Sequence, residues 1–364
     1  MNNGELVLRV DQTSKPFRTF DISSYNVLKI EGFFFPIIAN KNMRIINSQT
    51  MKKPATIQTM IERFKNQGIT FTTEEEKEAK VFLISVNYYR LSVFRLYLTE
   101  DFSFNALKEL YGFDRFLREH LNLLIPPVEV YVKTTLAYFL SNEYLRIYSE
   151  SPRVEPALVY LDGRIYKGNH INNGDVERML SNFVSLLSDK QDKDPSIKHH
   201  VQYYCGEVPI WALVEHLTLG QMSTFVTYLS RSLRKEWVEN FVPSASSEMI
   251  IEWLNTIRIL RNTGAHCSRF YGRYYNYSPK IPREDLDDVG YENLSDEQKD
   301  KFKNTLFAGL VILRKLYLGL DTCEKVRWNE FLKETNEKIN IHSNFKLNDI
   351  GFPNNWQDVL YLPI

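Results

Sequence analysis

Between residues 103 and 124, Phe104, Leu107, Leu110, Tyr111, Phe113, Asp114, Leu117, Leu121 and Leu124 recur at the three- and four-residue intervals of an amphipathic helix, and Ser103 stands where it can cap that helix. An apolar stripe of this length has to be covered by other helices, so the chain is expected to be mainly α. Pro126 and Pro127 are expected to bend or interrupt the helix, because a proline in a helix interior removes an amide donor and crowds the preceding turn. Helical spacing resumes at Val128 and runs to about Tyr144.

The same reading extends along the chain. After Pro54, the residues Ile57, Met60, Ile61 and Phe64 follow at helix spacing and Gly68 closes the segment; Thr72 or Thr73 can cap a second helix whose Glu74, Glu75 and Glu76 suit its positive N-terminal end. Further helices are expected at about 173–187, 195–204, 209–217, 220–230, 232–241, 246–271, 295–320 and 323–339, with a loop-like stretch at 150–172. The first 45 residues differ: residues 5–10 alternate and residues 27–35 are rich in strand formers, which points to a small strand-bearing attachment. The expected organisation is an N-terminal attachment over 1–50, a helical core over 51–275, and an acidic loop with C-terminal helices over 276–364 that pack on the core. No internal repeat is evident.

Hydrophobic residues make up 43% of the 364, enough for a large core, and no Gly/Pro/Ser-rich linker divides the chain. The apolar run at 306–320 is broken by Arg314 and Lys315 and is too short for a membrane span of about 20 residues, so it reads as a core helix. The first residues lack the pattern of a secretory signal, and the expectation is a cytoplasmic protein without a membrane partner. Cys205, Cys267 and Cys323 are widely spaced and odd in number, which supports neither a disulfide framework nor a zinc site; packing roles are expected for all three. The 45 basic and 45 acidic residues cancel, so any attraction to nucleic acid has to be local.

Such a local field exists. Between Glu252 and Glu284 there is no acidic residue, while Arg258, Arg261, Arg269, Arg273, Lys280 and Arg283 are basic, interleaved with Phe270, Tyr271, Tyr274, Tyr275 and Tyr277. Cations that hold phosphates beside rings that stack bases are the combination expected of an RNA-binding segment; the bland reading is a core aromatic set beside a solvated arginine face. Residues 284–300 then carry eight acidic residues against Lys299 and read as an exposed connection.

On a helix from 246 to 271, Arg258, Asn262 and His266 share one face, whereas Arg261 and His266 stand about 140° apart, so one helix converges poorly and a symmetric pair of helices would bring two histidines and two arginines around one phosphate. These residue types suit RNA cleavage by the neighbouring 2′-hydroxyl: histidine moves the proton and arginine stabilises charge on the phosphate oxygens, with no metal or other cofactor required. Elsewhere, residues 87–92 (Tyr88, Tyr89 and Arg90 among them) read as a packing motif rather than an RNA groove, Lys198, His199 and His200 as surface, and Trp211 as core.

Five blocks carry a resemblance. Residues 87–92, the stretch of Phe113, Asp114, Arg115 and Arg118, residues 128–138, residues 209–215 with Leu219 and Gly220, and residues 260–269 with Arg273 together resemble the Abi family of bacterial abortive-infection proteins. The resemblance implies an anti-phage protein with a HEPN-like helical bundle, in which the Arg-x4-His motifs of two protomers form a metal-independent ribonuclease site. It implies Arg261 and His266 as the catalytic pair with Asn262 orienting them, and Arg269 and Arg273 as phosphate-binding positions. Arg258, Tyr271 and Tyr274 complete the residues expected to touch RNA. Some relatives associate with a small non-coding RNA, so a non-catalytic RNA-binding protein stands as the alternative, and a dimer interface without RNA as a third.

Overall fold

The structure, a computed structural model, describes residues 27–30, 33–36, 54–243, 245–341 and 344–364. The chain divides into two compact units, Met1–Ala55 and Thr56–Ile364. The first contains a hairpin in which β1 (Val27–Ile30) pairs antiparallel with β2 (Phe33–Pro36), Ile30 opposite Phe33. The alternating residues 5–10 lie outside the described residues.

The second unit is helical, and the fold is mainly α. It opens with α1 (Ile57–Asn66), α2 (Thr73–Ser85) and the short α3 (Tyr88–Ser92). Thr72 caps α2 through a reciprocal bond with Glu75, and Ser103 caps the next helix through the Ala106 N–H, so both expected caps form.

That next helix, α4 (Phe104–Tyr148), is the axis of the unit. It runs on through Pro126 and Pro127 rather than ending there. The prolines leave the carbonyls of Asn122 and Leu123 without helix donors, and both residues are exposed, so water can satisfy them. On the buried side Tyr317 Oη donates to the Leu124 carbonyl at 2.7 Å and secures the same turn. By length and composition α4 could cross a membrane, but more than half of its most apolar stretch is buried inside the unit.

Around α4 come α5 (Gly168–Asn172), α6 (Asp175–Lys190), α7 (Pro195–Tyr203), α8 (Ile210–His216), α9 (Leu219–Tyr228), α10 (Arg231–Phe241) and α11 (Met249–Ala265). The chain finishes with α12 (Arg283–Asp288), α13 (Asp296–Asn304), α14 (Leu306–Tyr317), α15 (Thr322–Ile341) and α16 (Trp356–Leu360). Helices α8, α10, α11, α14 and α15 all pack on α4, and α11 is further covered by α9 and α14. The expected helix at 295–320 is two helices, broken at Thr305, whose hydroxyl reaches the carbonyls of Lys301 and Ile350 instead of continuing the turn.

Residues 150–172 form short 3₁₀ turns and α5, anchored by the buried Asp162, which accepts from Tyr144 Oη at 2.8 Å and from Arg164 Nη2 at 2.6 Å. Three other expectations are corrected. Trp211 is 53% exposed, because it sits on the outer face of α8 beside Tyr138 in a groove of about 560 Å³. All three cysteines are exposed, two of them, Cys205 and Cys267, at helix ends in left-handed backbone rather than on apolar faces. The acidic residues of 284–300 are exposed except Asp285, which is buried and paired with Lys315 at 2.7 Å, and Val289 of the same stretch is buried as well.

Candidate nucleic-acid interface

Helix α11 buries Ile250, Trp253, Leu254, Ile257 and Leu260, which turns Arg261, Ala265 and His266 outward and leaves Arg258 and Asn262 half-buried. It ends at Ala265, six residues short of the expected terminus at 271. The stop is chemical: Cys267 adopts φ +51°, its N–H returns to the Gly264 carbonyl at 2.9 Å, and the Ser268 N–H returns to the Thr263 carbonyl at 2.8 Å. This pair of bonds satisfies the last carbonyls of a helix and reverses the chain, a place usually held by glycine. His266 therefore caps the helix instead of lying within it.

The chain beyond the cap is held from a distance. Arg90 of α3 donates to the Cys267 carbonyl. Asp114 of α4, fully buried, accepts the N–H groups of Phe270 at 2.7 Å and Tyr271 at 2.8 Å through one oxygen and pairs with Arg118 through the other. Burial pushes the Asp114 carboxyl above the usual aspartate range, against the pull of the Tyr271 N–H and the Arg118 guanidinium. Tyr97 donates to the Gly272 carbonyl at 2.7 Å and receives a bond from Arg269 at 2.8 Å, with that guanidinium 5.3 Å from its ring centre. On the other side Gly264 faces Asn122 of α4 so closely that a Cβ would overlap the Asn122 amide.

The expected site residues divide accordingly. Arg261, Asn262 and His266 make no side-chain hydrogen bond or ion pair with the described residues, so their polar groups are available at the helix end. Arg258 is turned back onto Asn255 Oδ1 at 2.6 Å and its stem lies against Gly220. Arg269 and Arg273 are half-buried over the rings of Tyr97 and Tyr275. Tyr274 is 54% exposed and can reach a ligand. Tyr271 cannot: its ring is fully buried and its hydroxyl lies 3.0 Å from Asp349 Oδ2, so the expected stacking role is replaced by a packing role. Phe270, Tyr275 and Tyr277 are buried with it.

Arg90, Tyr97, Asp114 and Asn122 join the site without having been assigned to it from sequence. For Asp114 a signal existed, an aspartate among the apolar positions of the α4 stripe. For Arg90 the packing reading is corrected in part, since the motif that holds it does pack, through Tyr88 and Leu91, while the guanidinium reaches the helix end. No group of three or more histidine, cysteine, aspartate or glutamate side chains among the described residues is arranged to hold a metal ion.

What results is a helix terminus, tied to α3 and α4, that presents Arg261 and His266 to solvent with the half-buried Asn262 amide beside them, flanked by further cations. Residues 81–272, more than half of the chain and including Arg261, Asn262, His266 and the α3 and α4 groups that hold the helix end, match the family of Abi-like proteins. No curated protein and no solved structure matches the chain.

Proposed function

The chain belongs to the Abi-like protein family, and we propose that it serves abortive infection as a metal-independent endoribonuclease whose HEPN-type site is formed by Arg261, Asn262 and His266 of two copies. The observation that carries this reading is the exposure of Arg261 and His266, without side-chain partners among the described residues, at a helix end that many long-range contacts hold in place. Side chains held this way can meet a phosphate without first giving up an internal bond.

In the proposed reaction His266 of one copy takes the proton of a ribose 2′-hydroxyl, the 2′-oxygen attacks the adjacent phosphorus, and the bond to the 5′-oxygen of the next nucleotide breaks as the protonated His266 of the second copy gives that oxygen a proton, leaving a 2′,3′-cyclic phosphate and a 5′-hydroxyl. Arg261 stabilises the charge that builds on the non-bridging oxygens, and Asn262 orients the pair. Because Arg261 and the cap residue His266 leave the helix in different directions, the second copy supplies what one lacks.

The test compares wild type with the Arg261→Ala/His266→Ala variant, each incubated with total bacterial RNA and a chelator, with the new ends mapped. Motif-dependent cuts ending in cyclic phosphate are expected. RNA retained by both proteins without any cut would move the reading to a non-catalytic RNA-binding protein that holds a small structured RNA.

A further inference from the structure

Most of the rings beside the motif are inside the core, which leaves Tyr274 to stack a base there. Exposed rings gather elsewhere, at the C-terminal end of α7. His199 lies 5.0 Å from Tyr203 and 5.5 Å from Tyr204, and His200 lies 5.5 Å from Tyr204, measured between ring centres. Tyr203 is 72% exposed and Tyr204 54%.

From this geometry we infer that His199, Tyr203 and Tyr204, with Lys198, form a stacking surface for unpaired bases of single-stranded RNA; the inference rests on the reading that RNA is the ligand. Three observations support it. The rings are pre-assembled: Cys205 at φ +53° and Gly206 at φ +84° turn the chain sharply, and bonds from the Gly206 N–H to the His200 carbonyl (3.2 Å) and from the Glu207 N–H to the Tyr204 carbonyl (2.8 Å) keep Tyr204 beside the helix. Little ordering entropy is then left to lose on binding.

The charge suits phosphate. Between Asp194 and Glu207 the chain has no acidic residue, and Asp194 is committed to the N–H groups of Ser196 and Ile197 at the far end of the helix. Lys198 and the imidazole edges are therefore the groups that α7 itself offers to the backbone of a bound strand, and Glu207, beyond the turn, is the carboxylate that follows them in the chain. The third observation is access: Tyr203 and Tyr204 are exposed, so unpaired bases of any sequence can reach their rings.

Binding of a fluorescein-labelled single-stranded RNA of 12 nucleotides tests this by anisotropy, using the full chain with Arg261→Ala/His266→Ala so that the RNA stays intact. Adding Tyr203→Ala/Tyr204→Ala is expected to weaken binding at least about tenfold, whereas Tyr203→Phe/Tyr204→Phe, which keeps the rings, holds the parent affinity. Equal affinity of the alanine variant and its parent would overturn the α7 surface while leaving RNA as the ligand. Equal losses in the alanine and phenylalanine variants would overturn stacking. An unchanged affinity with an altered oligomeric mass would assign the rings to protein contact. Absence of binding at moderate salt by both this parent and the wild-type chain, the latter tested with a 2′-O-methylated RNA that cannot be cut, would remove the RNA reading and this surface with it.

Discussion

Asp114 and Tyr271 stand 157 positions apart in the chain, yet the carboxylate of the first accepts the backbone N–H of the second at 2.8 Å in a fully buried setting. With Phe270 on the same oxygen and Arg118 on the other, one side chain on α4 fixes the course of the segment that leaves the motif helix. Asp114→Ala would strand two N–H groups and a guanidinium away from water, and is expected to cost about 3–5 kcal/mol, read from urea denaturation. A loss below about 1 kcal/mol would mean that the segment is held by other contacts.

Two glycines separate backbone demand from simple proximity. Gly272 sits at φ +61° with the Tyr97 ring where a Cβ would go, so Gly272→Ala is expected to lower the melting temperature sharply, because a packed ring has nowhere to move. Gly264 is helical, and its neighbour is the side chain of the exposed Asn122. Gly264→Ala combined with Asn122→Ala is therefore expected to leave stability unchanged or to raise it by up to about 1 kcal/mol, the helix preference of alanine over glycine. Calorimetry of the two variants checks the contrast.

Arg90→Ala removes the donor at the Cys267 carbonyl but touches little of the core. Under the proposed reaction the expected outcome is a loss of RNA cleavage of about tenfold or more from misplacement of His266, with stability lowered by only about 1 kcal/mol. Single-turnover rates set beside denaturation curves separate the two effects. A stability loss that accounts for the whole rate loss would show that Arg90 has no particular bearing on the site.

Acid should act through Asp162. Burial alone would raise its pKa, but Arg164, through its side chain and backbone N–H, and the Tyr144 hydroxyl outweigh burial and hold it at about 2. A carboxyl whose pKa is depressed in the folded state contributes stability above its ordinary value near 4, and that contribution is lost as pH falls towards about 2. Asp114, raised by burial, carries the opposite sign: its contribution falls as pH climbs out of the ordinary aspartate range. Denaturation midpoints at pH 7 and pH 3 should thus differ less in Asp162→Asn than in wild type.

Legibility in the sequence followed the range of the interactions involved. Thr72 and Ser103 were readable as caps because capping is settled within four residues, and the periodicity of α4 was readable for the same reason. The end of α11 was not, because Cys267 holds the left-handed position where glycine would have signalled a stop. Tyr271 was placed on the surface by its basic neighbours, but Asp114, Asp349 and Tyr97 turn it inward, and none of them is near in sequence. Trp211 misled in the other direction, since residue type alone favours burial and only the packing of α8 on α4 shows which face is outside. That Arg261 and His266 stand outside the core agrees with the charge pattern of their segment; the groups that hold the helix end were not legible, apart from the aspartate in an apolar stripe.

The contacts that fix residues 267–272 reach back 177 positions to Arg90, 175 to Tyr97 and 157 to Asp114. During synthesis α3 and α4 leave the ribosome long before these residues exist, so the arrangement around His266 comes into being only when loops of that length have closed. The backbone bonds of the motif helix close within four residues, whereas the course of its terminus depends on contacts from far back in the chain. The defined course of residues 267–272 thereby belongs to chains that carry α3, α4 and α11 together.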